Sequence, residues 1–464
     1  MKVLFASSEI YPYAKSGGLA DVADALPHAM QKDVDISRVM PLYGFMETKG
    51  LKSVESFEIN LSGISYDIEV YAKNENKIST YFIKAPLLSQ TQNLYGDKNG
   101  DYGNNDLRFA IFSMGVVELA LKLGVDILHL NDWHTALAAL YIKDKNLNIK
   151  TVFTIHNLAY QGIFDFDSLG RIGVDSRYFH IEALEFYGRV NLLKAGIAFC
   201  DALVTVSETY AKEIQTKEFG CGLDGFLRVN KHKLNGVLNG INTKIFNPKT
   251  DKYLTYAFDK NSLSDKYKNK VDFVKSSTLK DPRKPLFVMI TRLVEQKGTD
   301  LVVLSMAKLL KRKINFFLIG EGDDNISEKF EKLSDKYDNF EFFRGYDEGL
   351  SHMAYASADF LLMPSRFEPC GLNQMIAMRY ATLPIVHSVG GLKESVFEDS
   401  MACGSGIVFE KFNKKEFLDA VERALKLRKN KKKFDEIRQK DMKCDFSFRK
   451  SALKYTEIYK KILK

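Results

Sequence analysis

The 464 residues, 45% hydrophobic and 27% charged, are enough for two or three folded domains and exclude a disordered, collagen-like or coiled-coil chain. The net charge of +8 comes from lysines scattered along the chain, and the densest set, Lys429, Lys431, Lys432 and Lys433, reads as a solvated helix face and not as a nucleic-acid site. Cys200, Cys221, Cys370, Cys403 and Cys444 form no Cys-x-x-Cys pair, so neither a disulfide framework nor a zinc cluster is expected, and no uncharged apolar window nears the ~18 residues of a membrane span.

The first apolar run, at 2–6, stops at Ser7-Ser8-Glu9, which is too short for the core of a secretory signal; a cytoplasmic protein is expected. The same run reads as a buried strand, followed by a loop holding Gly17 and Gly18 and a helical pattern from Leu19 to Met30. Short apolar runs recur at 127–130, 151–155 and 202–206 with helix-length spacing, which predicts a parallel sheet covered on both faces. From Asn247 to Pro285 the chain is polar and lysine-rich, with one amphipathic helix expected over 263–279. A second series of strands is predicted at 286–290, 315–319, 340–343, 360–363 and 383–387, and the tail from Lys414 onward has helical period only. The fold class is therefore α/β, with two open parallel sheets whose strand ends are the natural binding positions.

Chemistry-bearing residues fall at those strand ends. Lys15-Ser16-Gly17-Gly18 follows the first strand; its glycines and the helix start can bring N–H groups to a phosphate, and Lys15 adds a full charge, although the spacing is not that of a Walker A loop. Arg292 and Lys297, placed on the loop after the strand at 286–290, can hold a diphosphate as fork and point charge. Glu368-Pro369-Cys370-Gly371-Leu372 follows the strand at 360–363, where a carboxylate before a helix start can orient sugar hydroxyls; Gly390-Gly391 repeats the design after His387. Asn131-Asp132-Trp133-His134 and His156-Asn157 end two strands of the first half and offer polar groups for a sugar. No compact metal set is present in the spacing, and neither metal nor cofactor is expected.

Taken in order, Lys15 to Val22, Leu94-Tyr95-Gly96-Asp97, Asn131 to His134, His156 to Gly162, Gly222 to Gly225, Leu238 to Ile241, Arg292 to Gly298 and Glu368 to Leu372 resemble the glycogen and starch synthases of bacteria and plastids along nearly the whole chain. The resemblance implies the GT-B architecture, two Rossmann-like parallel-sheet domains facing a central cleft. The first, 1–241, would take the glucan acceptor and the second, 242–445, the nucleotide sugar, while a helix within 446–464 would return to the first. It implies ADP-glucose as donor, an α-1,4-glucan (glycogen or maltooligosaccharide) as acceptor, and retention of configuration. By the same resemblance Lys15, His156, Arg292, Lys297 and Glu368 are the catalytic set, and Gly17, Gly18, Asp21, Tyr95, Asp132, Asn239, Tyr346, Cys370, Gly371, Leu372 and Asn373 join Lys15 in binding substrate. Asn373 is the choice of the starch synthases, and Asn242, Phe246, Glu208 and Glu394-Ser395 depart from the family pattern without removing a charge from the diphosphate set. Ile376 stands where many related retaining enzymes carry a second glutamate. Two alternatives stay open: a UDP-glucose-dependent retaining glucosyltransferase, and a non-catalytic glucan-binding protein on the same fold. Nucleic acid and membrane are not expected partners.

Overall fold

Alternate residues of the first strand, Leu4 and Ala6 against Val3 and Phe5, enter two different buried clusters, so this strand runs through the middle of a sheet covered on both faces. The computed structural model describes residues 1–98, 100–398 and 403–464. They divide into two units, Met1–Gly240 with Phe448–Lys464, and Ile241–Ser447.

The first unit holds β1 (Lys2–Ala6), β2 (Asp35–Pro41), β3 (Lys52–Leu61), β4 (Ile64–Glu75), β5 (Ile78–Lys84), β6 (Ile127–Asn131), β7 (Lys150–Ile155), β8 (Ala202–Thr205) and β9 (Leu234–Gly236). They form one sheet in the order β9-β8-β7-β6-β1-β2-β5-β4-β3. Pairing is parallel from β9 to β5, which includes all four strands predicted from sequence in this half, while the unpredicted edge pairings β3–β4 and β4–β5 are antiparallel. The cause is local. Ser62 and Gly63 turn with φ of 53° and 81°, the geometry of a tight hairpin, and the alternation of β3 leaves one face to solvent. The helices Gly18–Met30 and Arg449–Ile462 feed buried residues into the cluster holding Val3 and Phe5; Tyr459 Oη lies 2.5 Å from His129 Nδ1, and Tyr455 Oη lies 3.3 Å from Thr154 Oγ1.

The second unit holds β10 (Leu286–Leu293), β11 (Asn315–Gly322), β12 (Phe340–Arg344), β13 (Phe360–Met363), β14 (Leu383–His387) and β15 (Ile407–Phe409). They lie in the order β12-β11-β10-β13-β14-β15, all parallel. Counted in chain order within the unit, this is third, second, first, fourth, fifth, sixth: the doubly wound order, with its switch point between β10 and β13. The parallel part of the first sheet repeats that order, with its switch point between β1 and β6. The lysine-rich stretch belongs to the second unit: on the helix Leu263–Lys275, Lys266 and Lys270 are buried, and Lys270 Nζ meets Asp359 Oδ2 at 2.6 Å. Burial alone would raise the Asp359 carboxyl, but Lys270 and Arg428 outweigh it and hold the pKa down at about 2.

One expectation on cysteine is overturned. Cys403 and Cys444 form a disulfide, with Cα atoms 5.5 Å apart across a separation of 41 residues. Tertiary packing, not sequence spacing, brings together the segment entering β15 and the residues just after the helix Lys431–Asp441. Among the described residues no helix is long and apolar enough to cross a membrane, and no group of His, Cys, Asp and Glu could hold a metal ion.

Candidate active site

In the first unit the loops after β1 and β6 straddle the switch point. Lys15 Nζ is 2.8 Å from Asp21 Oδ1 and 5.5 Å from the centre of the Tyr11 ring. Gly17 caps the helix Gly18–Met30 in an extended conformation, φ −161°, with nothing within 4 Å of where a Cβ would stand. The amides of Ser16 and Gly17 donate to the carboxylate of Glu9, at 2.5 and 3.3 Å, and Tyr95 Oη donates to the same group at 2.5 Å. Lys15, Ser16, Phe45, Leu94 and Tyr95 line a hollow of about 700 Å³. That is room for more than one sugar ring.

Asp132 sits at the end of β6 with φ of 55°, and its Oδ1 accepts the His156 amide at 2.7 Å. Burial, with the Glu9 charge adding to it, pushes the Asp132 carboxyl up to about 7 against the lowering effect of the His156 and Asn157 amides. The folded state therefore keeps a proton that the unfolded chain gives up near pH 4; stability is full below that, falls as pH rises, and stays reduced above about 7. The advantage of Asp132→Asn in melting temperature over the natural protein is expected to grow between pH 5 and pH 8. Thermal denaturation at several pH values checks this; a difference independent of pH would contradict it.

His156 has a determined tautomer. Asn131 Nδ2 donates to Ala6 O at 2.9 Å, so its Oδ1 faces the ring, and His156 Nε2, at 2.8 Å, must carry the hydrogen. Burial lowers the ring's pKa to about 3, so His156 works as a neutral imidazole with a lone pair on Nδ1. His134 is placed differently from a sugar contact: it is buried against Trp133, Phe109 and Tyr95, its centroid 4.0 Å from that of Trp133. Asn239 is buried near the end of the unit, its Oδ1 lacking a hydrogen bond.

In the second unit β10 runs on to Leu293, paired with β11 as far as Gly322, so Arg292 projects from the strand and not from a loop beyond it. Its side chain is exposed. Lys297 ends the short 3-10 turn Glu295–Lys297, and Gly298 then turns left-handed, φ 68°, into the helix Thr299–Leu309. Lys297 Nζ lies 2.6 Å from Glu368 Oε2, which also accepts from Ser365 Oγ at 3.0 Å. The two loops are tied by Arg366 N donating to Gln296 O at 2.9 Å, so Lys297 and Glu368 meet across the switch point between β10 and β13. Gly390 and Gly391 serve packing: a Cβ on Gly390 would stand 1.9 Å from Glu368 O, and one on Gly391 2.3 Å from Cys370 O. Cys370 is buried, Gly371 is left-handed at φ 74°, and Leu372 leads into the helix Asn373–Arg379, where Asn373 Nδ2 donates to Ile290 O at 2.8 Å. Tyr346, after β12, is 62% exposed.

Glu9 and Ser365 were not expected from sequence, whereas Asn131 was named there as a polar group for a sugar and stands instead behind His156. Glu9 was visible only as the polar end of an apolar run, although a carboxylate just past the first strand of a doubly wound sheet is itself a signal.

Comparison with known proteins bears on the family and the fold. The family described as "Starch synthase catalytic domain" matches residues 2–229, and that described as "Glycosyl transferases group 1" matches residues 270–441. The chain is 42% identical to a glycogen synthase of Aquifex aeolicus, covering 100% of this chain and 99% of that one. It is 38% identical to a glycogen synthase of Thermodesulfovibrio yellowstonii, covering 100% and 98%. The catalytic domain of starch synthase IV from Arabidopsis thaliana, solved with ADP and acarbose, superposes with a TM-score of 0.92 at 33% identity, covering 100% of this chain and 99% of that one.

Proposed function

Because the chain belongs to the glycogen and starch synthase family of GT-B glycosyltransferases, we propose that it transfers glucose from ADP-glucose to the non-reducing end of an α-1,4-glucan with retention of configuration. The observation that carries the reading is the Lys297–Glu368 pair, 2.6 Å apart at a switch point whose first strand also presents Arg292. Breaking the glycosyl phosphate bond builds negative charge on the departing diphosphate. Arg292 and Lys297 neutralise it, and Lys15 is proposed as a further phosphate-binding cation. Glu368, fixed by Ser365, accepts hydrogen bonds from the glucose hydroxyls, with Cys370, Gly371 and Leu372 shaping that edge and Asn373 bracing it. Neutral His156 offers its Nδ1 lone pair to a glucose hydroxyl, and Asp132 and Asn239 complete the sugar's surroundings. The Tyr346 ring stacks on adenine, and the hollow beside Tyr95 takes the glucan. A phosphate oxygen of the donor receives the glucan hydroxyl proton as the new bond forms on the face the diphosphate leaves.

A coupled assay of nucleotide release with glycogen as acceptor tests this. ADP-glucose is expected to support turnover and UDP-glucose to support much less; no ADP release with any glucan would overturn the reading. Gly17→Ala is expected to leave stability within about 0.5 kcal/mol, because the added methyl enters open space and φ stays extended, while weakening ADP-glucose binding. Denaturation and donor titration check the two halves separately. We propose the cytoplasm as its location.

A further inference from the structure

Glu9 is 3% exposed, and among the described residues no lysine or arginine forms an ion pair with it. Its carboxylate is held by hydrogen bonds alone: Oε2 accepts the amides of Ser16 at 2.5 Å and Gly17 at 3.3 Å, and Oε1 accepts Ser16 Oγ at 2.6 Å and Tyr95 Oη at 2.5 Å. Tyr95 is held from behind as well, its Oη 2.8 Å from Ser8 Oγ and its carbonyl accepting from Asn105 Nδ2 at 2.8 Å. The turn into the helix Gly18–Met30 thus forms an anion-binding concavity of backbone N–H groups, and the chain fills it with its own side chain. A phosphate seeking those amides would have to expel a buried carboxylate and break its bond to Tyr95. The Ser16 and Gly17 amides are therefore not phosphate ligands, and what the loop offers a diphosphate is the Lys15 side chain and the N–H groups from Gly18 onward.

We infer that Glu9 is a positioning residue: its carboxylate joins the Lys15–Gly18 loop to Tyr95 as one rigid piece and so sets where Lys15 and Tyr95 stand against the substrate. The inference rests on the transfer reading above. A buried carboxylate serves here because only an acceptor with two oxygens can take four donors coming from two segments 79 residues apart, counted from Ser16 to Tyr95. Glutamine has the same shape, but it turns an NH₂ toward donors on one side of the cluster.

The test is the full chain with Glu9→Gln, Tyr95→Phe and the double variant. Glu9→Gln is expected to lower kcat/KM for ADP-glucose roughly 30-fold, with part of the loss in KM for the donor, and to raise KM for glycogen as well, since Tyr95 lines the hollow that takes the glucan. The double variant is expected to lose less than the product of the single losses, because each single change breaks the same link. Glu9→Asp keeps the charge and is expected to recover part of the donor affinity. A structural role alone would reduce the fraction of active molecules, lowering kcat while leaving KM for the donor at its natural value; that result, or strictly multiplicative losses, would overturn the inference. Calorimetric titration with ADP separates this from failure of the transfer reading. If the natural protein binds ADP but transfers no glucose, the transfer reading falls and Glu9 is judged by whether Glu9→Gln weakens ADP; if the natural protein binds no ADP, both fall.

Discussion

Lys297→Ala is expected to lower turnover about 100-fold or more, the usual loss when one fixed charge is taken from a transition state that sheds an anion. Read from sequence, Lys297 is an exposed loop cation whose removal costs little stability. The structure alters that expectation: its side chain is 20% exposed and that of Glu368 6%, so removing the amine strands a buried carboxylate that still accepts from Ser365 Oγ. Losing one partner of such a pair costs roughly 1–3 kcal/mol, so the melting temperature should fall as well. The two effects can be separated. Adding Glu368→Gln to Lys297→Ala removes the stranded charge, and the double variant is expected to regain most of the melting temperature while regaining no turnover. Steady-state rates and thermal denaturation on the natural protein and the two variants check this. Turnover that followed the melting temperature through the set would take Lys297 out of the chemistry.

Gly390→Ala should be among the most damaging small changes in the second unit. Gly390 is left-handed, φ 46°, and a Cβ there would stand 1.9 Å from the carbonyl oxygen of Glu368 and 2.8 Å from its carbonyl carbon. Backbone cannot rotate out of the way as a side chain can, so either the helix Gly390–Ser395 or the Glu368 loop must move. The expected outcome is a stability loss of about 2–4 kcal/mol together with a collapse of turnover, because the loop that moves carries Glu368. Gly170→Ala, at a position with nothing within 4 Å, is the control and should be silent in both measurements. Normal turnover in Gly390→Ala would mean that Glu368 need not be held where it is seen.

Much of this was legible because buried parallel strands announce themselves. The runs at 2–6, 360–363 and 383–387 became strands with those bounds, since uninterrupted apolar residues fit a position covered on both faces. β10 was read short because Thr291 and Arg292 break the apolar run, yet the ladder to β11 continues through them on backbone bonds that side-chain character does not reveal. The β3–β4–β5 edge went unread for a related reason: its strands are half exposed, and their alternation around Ser62-Gly63 is a weaker signal than a solid run. In the site, charged residues at strand ends could be named from spacing. What could not be named was any partnership across distant segments: Glu9 with Tyr95, Lys297 with Glu368, Gly390 against Glu368, and Cys403 with Cys444. Each depends on strand order, which short motifs do not carry.

The first unit is assembled from Met1–Gly240 and Phe448–Lys464, and the terminal helix buries Tyr455 and Tyr459 in it. On a ribosome this divides the work in time. The amino-terminal sheet emerges early but must wait, one face only partly covered by the helix Gly18–Met30, until the helix Arg449–Ile462 is released, whereas the second unit has its whole sequence in hand first. Loss of the final turns by premature termination would thus injure the half of the protein made earliest.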